Sequence, residues 1–142
     1  MPSKLPTVNV VAGLIQRDGA LLVCQRRRGA AFALQWEFPG GKLEAGESSE
    51  TALRRELQEE LGVVADIGVE LFRTQHDYPG VYSVLLVFHH VARFSGAPRN
   101  CAFEQIRWAE PAQLPTLDFL EGDAELIGLL NRGEICVPST GT

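Results

Sequence analysis

A chain of 142 residues with 45% hydrophobic side chains is long enough to bury one ordinary core and too apolar to be disordered. Its net charge of −5 argues against a general coat for nucleic-acid polymers, which rewards many basic contacts, but not against a small phosphate ligand that arrives already neutralised by a cation. Cys24, Cys101 and Cys136 stand far apart with no CxxC pair, so neither a zinc site nor a disulfide framework is expected. Cys24 sits in an apolar run and reads as a small buried side chain. With no signal peptide and no membrane-length apolar run, the expectation is a single cytoplasmic domain spanning residues 1–142.

In chain order, Val8 to Ile15 reads as a strand, Asp18-Gly19 as a turn and Ala20 to Cys24 as the partner strand. Arg26-Arg27-Arg28 follows, a pattern that is most often a solvated face. The small residues from Gly29 to Ala33 lead into Trp36-Glu37-Phe38-Pro39-Gly40-Gly41. There, proline and paired glycine break regular structure and let the backbone pass close to other groups.

The next segment is the most informative. From Gly41 it runs through Glu47, then Arg55-Glu56-Leu57, Glu59-Glu60 and Gly62-Val63. The spacing predicts a loop that delivers one carboxylate, then a helix that lays three more along one face. At about 100° per residue, Glu56 and Glu60 lie one turn apart on the same side, with Glu59 beside them. Leu53, Leu57 and Leu61 form an adjacent stripe that packs inward. Ser48 or Ser49 caps the helix start and Gly62 ends it. A cluster of acids is ordinarily just a solvated face. Here the carboxylates repel one another within about a turn and a half, Arg55 offsets only part of that charge, and a hard divalent cation takes such oxygen ligands.

Beyond the helix, Val64 to Arg73 is a strand candidate, Tyr78-Pro79-Gly80 a turn, and Val81 to Phe94 a long apolar strand. His89 and His90 alternate across that strand, and with His76 they show no metal-ligand spacing. Ser95 to Pro98 marks a turn, Ile106-Arg107-Trp108 a short strand, Pro111 to Pro115 a linker, and Asp123 to Leu130 a second helix ended near Gly133. Strands then helix, twice over, suggest an α+β layered sandwich.

The run from Gly41 to Val63 carries the complete signature of the Nudix hydrolases, and the chain resembles that family from about Val8 to Leu130. Glu37-Phe38-Pro39-Gly40-Gly41-Lys42-Leu43-Glu44 is similar to the MutT-type branch, whose members are nucleotide-pool pyrophosphohydrolases. The resemblance implies an α/β/α sandwich with a mixed sheet and a loop-helix-loop catalytic motif. It implies Mg2+, or alternatively Mn2+, held by Glu56, Glu59 and Glu60, with the Gly41 carbonyl oxygen as a further ligand. Glu56 also suits orienting or deprotonating water, and Glu47 is a further candidate metal ligand that completes the charge network or acts on Arg55 from the loop. Arg55, set among the catalytic carboxylates, reads more as a pin than as a chemical actor.

Further positions follow from the same resemblance. Glu104 falls where MutT-like chains carry a glutamate in a mobile loop, a candidate base or extra ligand, although a solvated carboxylate is the ordinary reading. Arg26 fits the register of a phosphate-contacting arginine, and Lys42 adjoins it in role. Phe38 and Tyr82 offer stacking surfaces, though each is more often core. Asp123 aligns with a position that reads the base edge with Asn or Asp; an ionised aspartate only accepts, so it favours a base offering N–H donors.

The implied reaction is hydrolysis of an NTP or dNTP, oxidised or modified in the manner of 8-oxo-dGTP, to monophosphate and pyrophosphate. Other substrates of the family are ADP-ribose, nucleotide sugars and dinucleoside polyphosphates. A nucleotide-sensing module of the same shape is a third reading, but such domains commonly lose signature glutamates that this chain keeps. The partner is then a small nucleotide rather than a polymer or a membrane, and the protein a monomer or homodimer.

Overall fold

The computed structural model describes residues 5–142. Its main sheet has the order β5-β1-β7-β6, built from β1 (Thr7–Leu14), β5 (Gly40–Lys42), β6 (Val64–Tyr78) and β7 (Tyr82–Ser95). The sheet is mixed: β1 and β7 run parallel from Thr7↔Ser83 to Leu14↔His90, and the other pairings are antiparallel. A smaller antiparallel sheet is centred on β3 (Ala20–Gln25). It carries β2 (Gln16–Arg17) and β4 (Trp36–Glu37), with β8 (Gln105–Ala109) also paired to β3. The turn between β2 and β3 forms because Asp18 and Gly19 both take positive φ, 53° and 81°, the geometry that matches hairpin twist.

Strand alternation divides the interior in two. Ala12 and Leu14 of β1 face a core shared with Leu126, Ile127 and Leu130 of α2 (Ala124–Asn131). Val11 faces the opposite core with Leu53, Leu57 and Leu61 of α1 (Ser49–Leu61). Helices therefore cover both faces, as an α/β/α sandwich requires. Each buried leucine of α1 contributes about 1.5–3 kcal/mol. Ser48 caps α1 by accepting from the Thr51 N–H, and Gly62 closes it at φ 68°.

The structure departs from the sequence reading at the glycine pair, where Gly40–Lys42 is a strand paired with β1 rather than a break, and in three further places. β6 continues past Arg73 to Tyr78, because its polar residues sit on the edge of the sheet and need no burial while the ladder with β7 runs on to Tyr78↔Tyr82. The segment read as a linker is a 3-10 helix, Pro111–Thr116, with Pro111 leading it, the Gln113 side chain accepting from the Glu110 N–H, and Leu114 buried beneath. The second helix begins one residue later than expected. Asp123 closes a short 3-10 turn, Glu121–Asp123, ahead of it. Among the described residues, no helix is long and apolar enough to cross a membrane.

Candidate active site

The glycine pair and α1 meet face to face. The Gly40 N–H donates to Oε1 of Glu60 at 3.0 Å. A Cβ on Gly41 would lie 2.5 Å from the Glu56 carboxyl carbon, so only glycine lets that carboxylate rest against the strand. Burial first, then the charges of Glu56 and Glu37, push the Glu60 carboxyl up to about 9. Burial also raises Glu56, against the pull of Arg55. Glu59, one turn of the same face, is largely exposed.

Arg55 organises this edge. Its Nε and Nη2 grip Glu47 at 2.9 and 2.8 Å, its Nη1 donates to Glu56 at 2.9 Å, and Nη2 also reaches the Lys42 carbonyl at 3.2 Å. Glu59 and Glu44 stand farther off, at 3.6 and 3.7 Å. The Arg55 hydrogen bond and the Glu44 N–H hold the Glu47 carboxyl down at about 2. Both Glu47 oxygens are thereby engaged, and its place is in the pin that shapes the loop.

The donor set fits a hard divalent cation. Among the described residues, Glu60 has one backbone donor and no cationic partner, and Gly41 leaves room for the Glu56 carboxylate against its backbone. Among the described residues, no three carboxylate, imidazole or thiol groups already stand in a closed ligating arrangement, and Arg55 occupies the charge of Glu56.

A cavity of about 330 Å³ opens from this rim. Gly40, Gly41, Lys42 and Glu60 line one part of it, with Arg26 and Glu37 on its wall; Asp123, His76, Tyr78 and Tyr82 also line it. Arg26 donates to Glu37 at 3.1 Å and to the Ala31 carbonyl at 2.7 Å. Burial raises the Glu37 carboxyl, Arg26 opposing. Asp123 is 3% exposed, and its side chain makes no cap on α2. Burial, then the charge of Glu37, pushes its carboxyl well above the ordinary range.

Of the other residues singled out by sequence, Lys42 lines the cavity with its Nζ 5.9 Å from the centre of the Tyr82 ring. Phe38 borders the cavity from within the core, wedged between Phe119 and Phe88 with ring centroids at 5.3 and 6.1 Å, which makes it a wall rather than a free stacking surface. Glu104 is not part of the cavity wall. It accepts from the Arg28 N–H at 3.3 Å, beside the Arg28 guanidinium at 3.9 Å. Sequence reasoning passed over Glu37, His76 and Tyr78 as site residues. Only Glu37 left a signal, a carboxylate in the run before the glycine pair. His89 instead joins elements, its Nε2 3.0 Å from the Ser49 hydroxyl and its Nδ1 2.9 Å from the Gly68 carbonyl.

The NUDIX domain family model matches residues 5–130. The chain is similar to an 8-oxo-dGTP diphosphatase of Haemophilus influenzae, with 39% identity over 128 residues, 88% of this chain and 93% of the relative. It is similar to a CTP pyrophosphohydrolase of Escherichia coli, with 35% identity over 120 residues, 84% of this chain and 88% of the relative. The solution structure of the Escherichia coli ORF135 protein superposes with a TM-score of 0.78 at 32% identity, covering 91% of both chains. A MutT protein from Methanosarcina mazei shares the fold, with a TM-score of 0.82 at 18% identity over 94% of this chain and 99% of that one. The chain belongs to the Nudix family and is a nucleotide pyrophosphohydrolase, an enzyme that acts on a phosphoric anhydride bond.

Proposed function

We propose that the protein is a single Nudix domain that hydrolyses a nucleoside triphosphate to monophosphate and pyrophosphate with the help of Mg2+ or Mn2+. The observation that carries this is one continuous cavity with a carboxylate rim at Gly40, Gly41 and Glu60 and a buried acid, Asp123, in its lining. Phosphates belong at the first and the base at the second. Glu56, Glu59 and Glu60, with the Gly41 carbonyl, would hold the metal. When bound, it supplies polarised phosphoryl oxygens and a water of lowered pKa. Glu56, steadied by Arg55, would orient or deprotonate the attacking water. Arg26 and Lys42 bring positive charge to the wall where the phosphates lie.

Asp123 narrows the choice of base. Burial, and then the nearby charge of Glu37, disfavours the charged form, so we read it as the neutral acid, which donates through O–H and accepts through C=O. That revises the expectation of a pure acceptor. A base with an acceptor beside a donor on one edge satisfies both atoms. Cytosine does so with N3 and its amino group, and 8-oxoguanine with O6 and N7–H. On that same N7 edge unoxidised guanine offers two acceptors, O6 and N7, and it sets an acceptor beside a donor only on the opposite edge, at O6 and N1–H. The relatives named for CTP and 8-oxo-dGTP support this reading.

The test is product analysis with Mg2+ on 8-oxo-dGTP, dGTP, CTP, dCTP, ADP-ribose and a dinucleoside polyphosphate, assaying pyrophosphate and phosphate separately. Pyrophosphate from 8-oxo-dGTP or a cytosine nucleotide in preference to dGTP is expected. Silence on every triphosphate, with ADP-ribose cleaved, would overturn it. Asp123→Asn is expected to change preference among bases more than overall rate; a uniform loss would remove Asp123 from that role.

A further inference from the structure

We propose that Tyr78 is a positioning residue for base selection, its hydroxyl fixing the short turn that aims Asp123 into the cavity. This rests on the reading of Asp123 given above. The Gly122 N–H, immediately before Asp123, donates to the Tyr78 hydroxyl oxygen at 2.9 Å, a contact across 44 positions of sequence. Gly122 has an ordinary φ, so its glycine is not needed for conformation. It is needed for space, because a Cβ there would lie 2.9 Å from the same hydroxyl. The turn is also tied behind, by the Leu120 N–H to the Trp36 carbonyl at 3.0 Å and the Asp123 N–H to the Leu120 carbonyl at 3.0 Å. Asp123 itself makes no cap bond to α2, so its own side chain does not set its direction.

The Tyr78 ring is held from three sides. His76 meets it edge-on with centroids 4.7 Å apart, Tyr82 edge-on at 5.7 Å, and Phe32 at 4.9 Å. His76 comes from β6, Tyr82 from β7, and Phe32 from the Arg26–Gln35 loop that also walls the cavity. One hydroxyl therefore ties the end of the β6–β7 hairpin to the turn that precedes α2. Small errors in placing a reading group cost a large part of its discrimination, because the acid must meet an acceptor and a donor together. The ring packing does not depend on the hydroxyl, so Tyr78→Phe separates positioning from packing.

The experiment compares wild type, Tyr78→Phe, Gly122→Ala, Asp123→Asn and the Tyr78→Phe/Asp123→Asn double variant. Each is measured for kcat and KM on 8-oxo-dGTP, dGTP, CTP and dCTP, with thermal midpoints alongside. Tyr78→Phe is expected to reduce the kcat/KM ratio between best and poorest base by about tenfold, mainly through KM of the best. Gly122→Ala, which displaces the hydroxyl, is expected to do the same. The double variant is expected to discriminate no worse than Asp123→Asn alone, since both changes act through one group. If Tyr78→Phe lowers all four substrates equally, or adds fully to Asp123→Asn, the positioning role is overturned while the reading of Asp123 stands. If Asp123→Asn leaves discrimination untouched, that reading falls and the role of Tyr78 with it.

Discussion

Glu60 is where burial and metal affinity meet in one side chain. In the metal-free protein its carboxyl keeps its proton to about 9, against 4.5 for an ordinary glutamate. Between those values the native state binds a proton that the unfolded state lacks, so this group's contribution to stability falls as pH rises from 4.5 toward 9. A divalent cation takes the deprotonated form, so its affinity should climb over the same window, with a proton released on binding. Calorimetric titration with Mg2+ or Mn2+ near neutral pH, in buffers of different ionisation enthalpy, is expected to register that proton. Glu60→Gln should abolish the release and most turnover while the fold persists. Glu59→Gln, at an exposed position, should lose turnover with the proton release intact. Undiminished release from Glu60→Gln would move the assignment to another carboxylate.

At the scale of elements, α1 matters for what its middle turn holds still. The Arg55 guanidinium ties the helix to the loop at Glu47 and to β5 at the Lys42 carbonyl, so the glycine cradle and the carboxylate face keep register. Lysine lacks the planar fork that makes this possible. Arg55→Lys should therefore lower kcat/KM by about a hundredfold, as misplacement near reacting groups does. It should also flatten the acid limb of stability. Glu47 titrates near 2 in the native state, so its stabilisation is complete above 4.5 and lost as pH falls from there toward 2. An acid limb of the thermal midpoint identical to wild type would show that Arg55 does not hold Glu47 in solution. Much of this element was legible in the sequence, because caps, leucine stripe and carboxylate face all repeat at local helical spacing. Glu37, His76 and Tyr78 were not legible as site residues, because the cavity that makes them neighbours depends on pairing β6 with β7 and β3 with β4. Pro111 to Pro115 misled for the opposite reason: its prolines suggest a break, whereas proline at the start of a 3-10 turn is tolerated and Leu114 gains burial there.

At the scale of the whole molecule, the two sheets supply different parts of one cavity. The main sheet brings Gly40 and Gly41 on β5 under the carboxylates of α1, and the smaller sheet brings Glu37 on β4. The sheets are joined covalently by β1 running through Ile15, which is fully buried, into β2, and by β4 running through Phe38 and Pro39 into β5. The C-terminal segment adds a noncovalent clasp. The buried Thr140 hydroxyl donates to the Val91 carbonyl at 2.8 Å and accepts from the Gln16 N–H at 3.1 Å, joining β7 to β2. Its own N–H donates to the Gln16 carbonyl at 2.8 Å, and the Gly141 N–H to the Ala92 carbonyl at 2.9 Å. Thr140→Val keeps the shape but strands the buried Val91 carbonyl and the half-buried Gln16 N–H, at a cost of about 1–3 kcal/mol. Because the covalent links remain, that loss should appear as a lower urea midpoint with kcat/KM unchanged at 25 °C. An unchanged midpoint would mean that the segment does not clasp the sheets in solution. A fall in kcat/KM at full stability would mean that the clasp sets the span of the cavity as well as the stability of the fold.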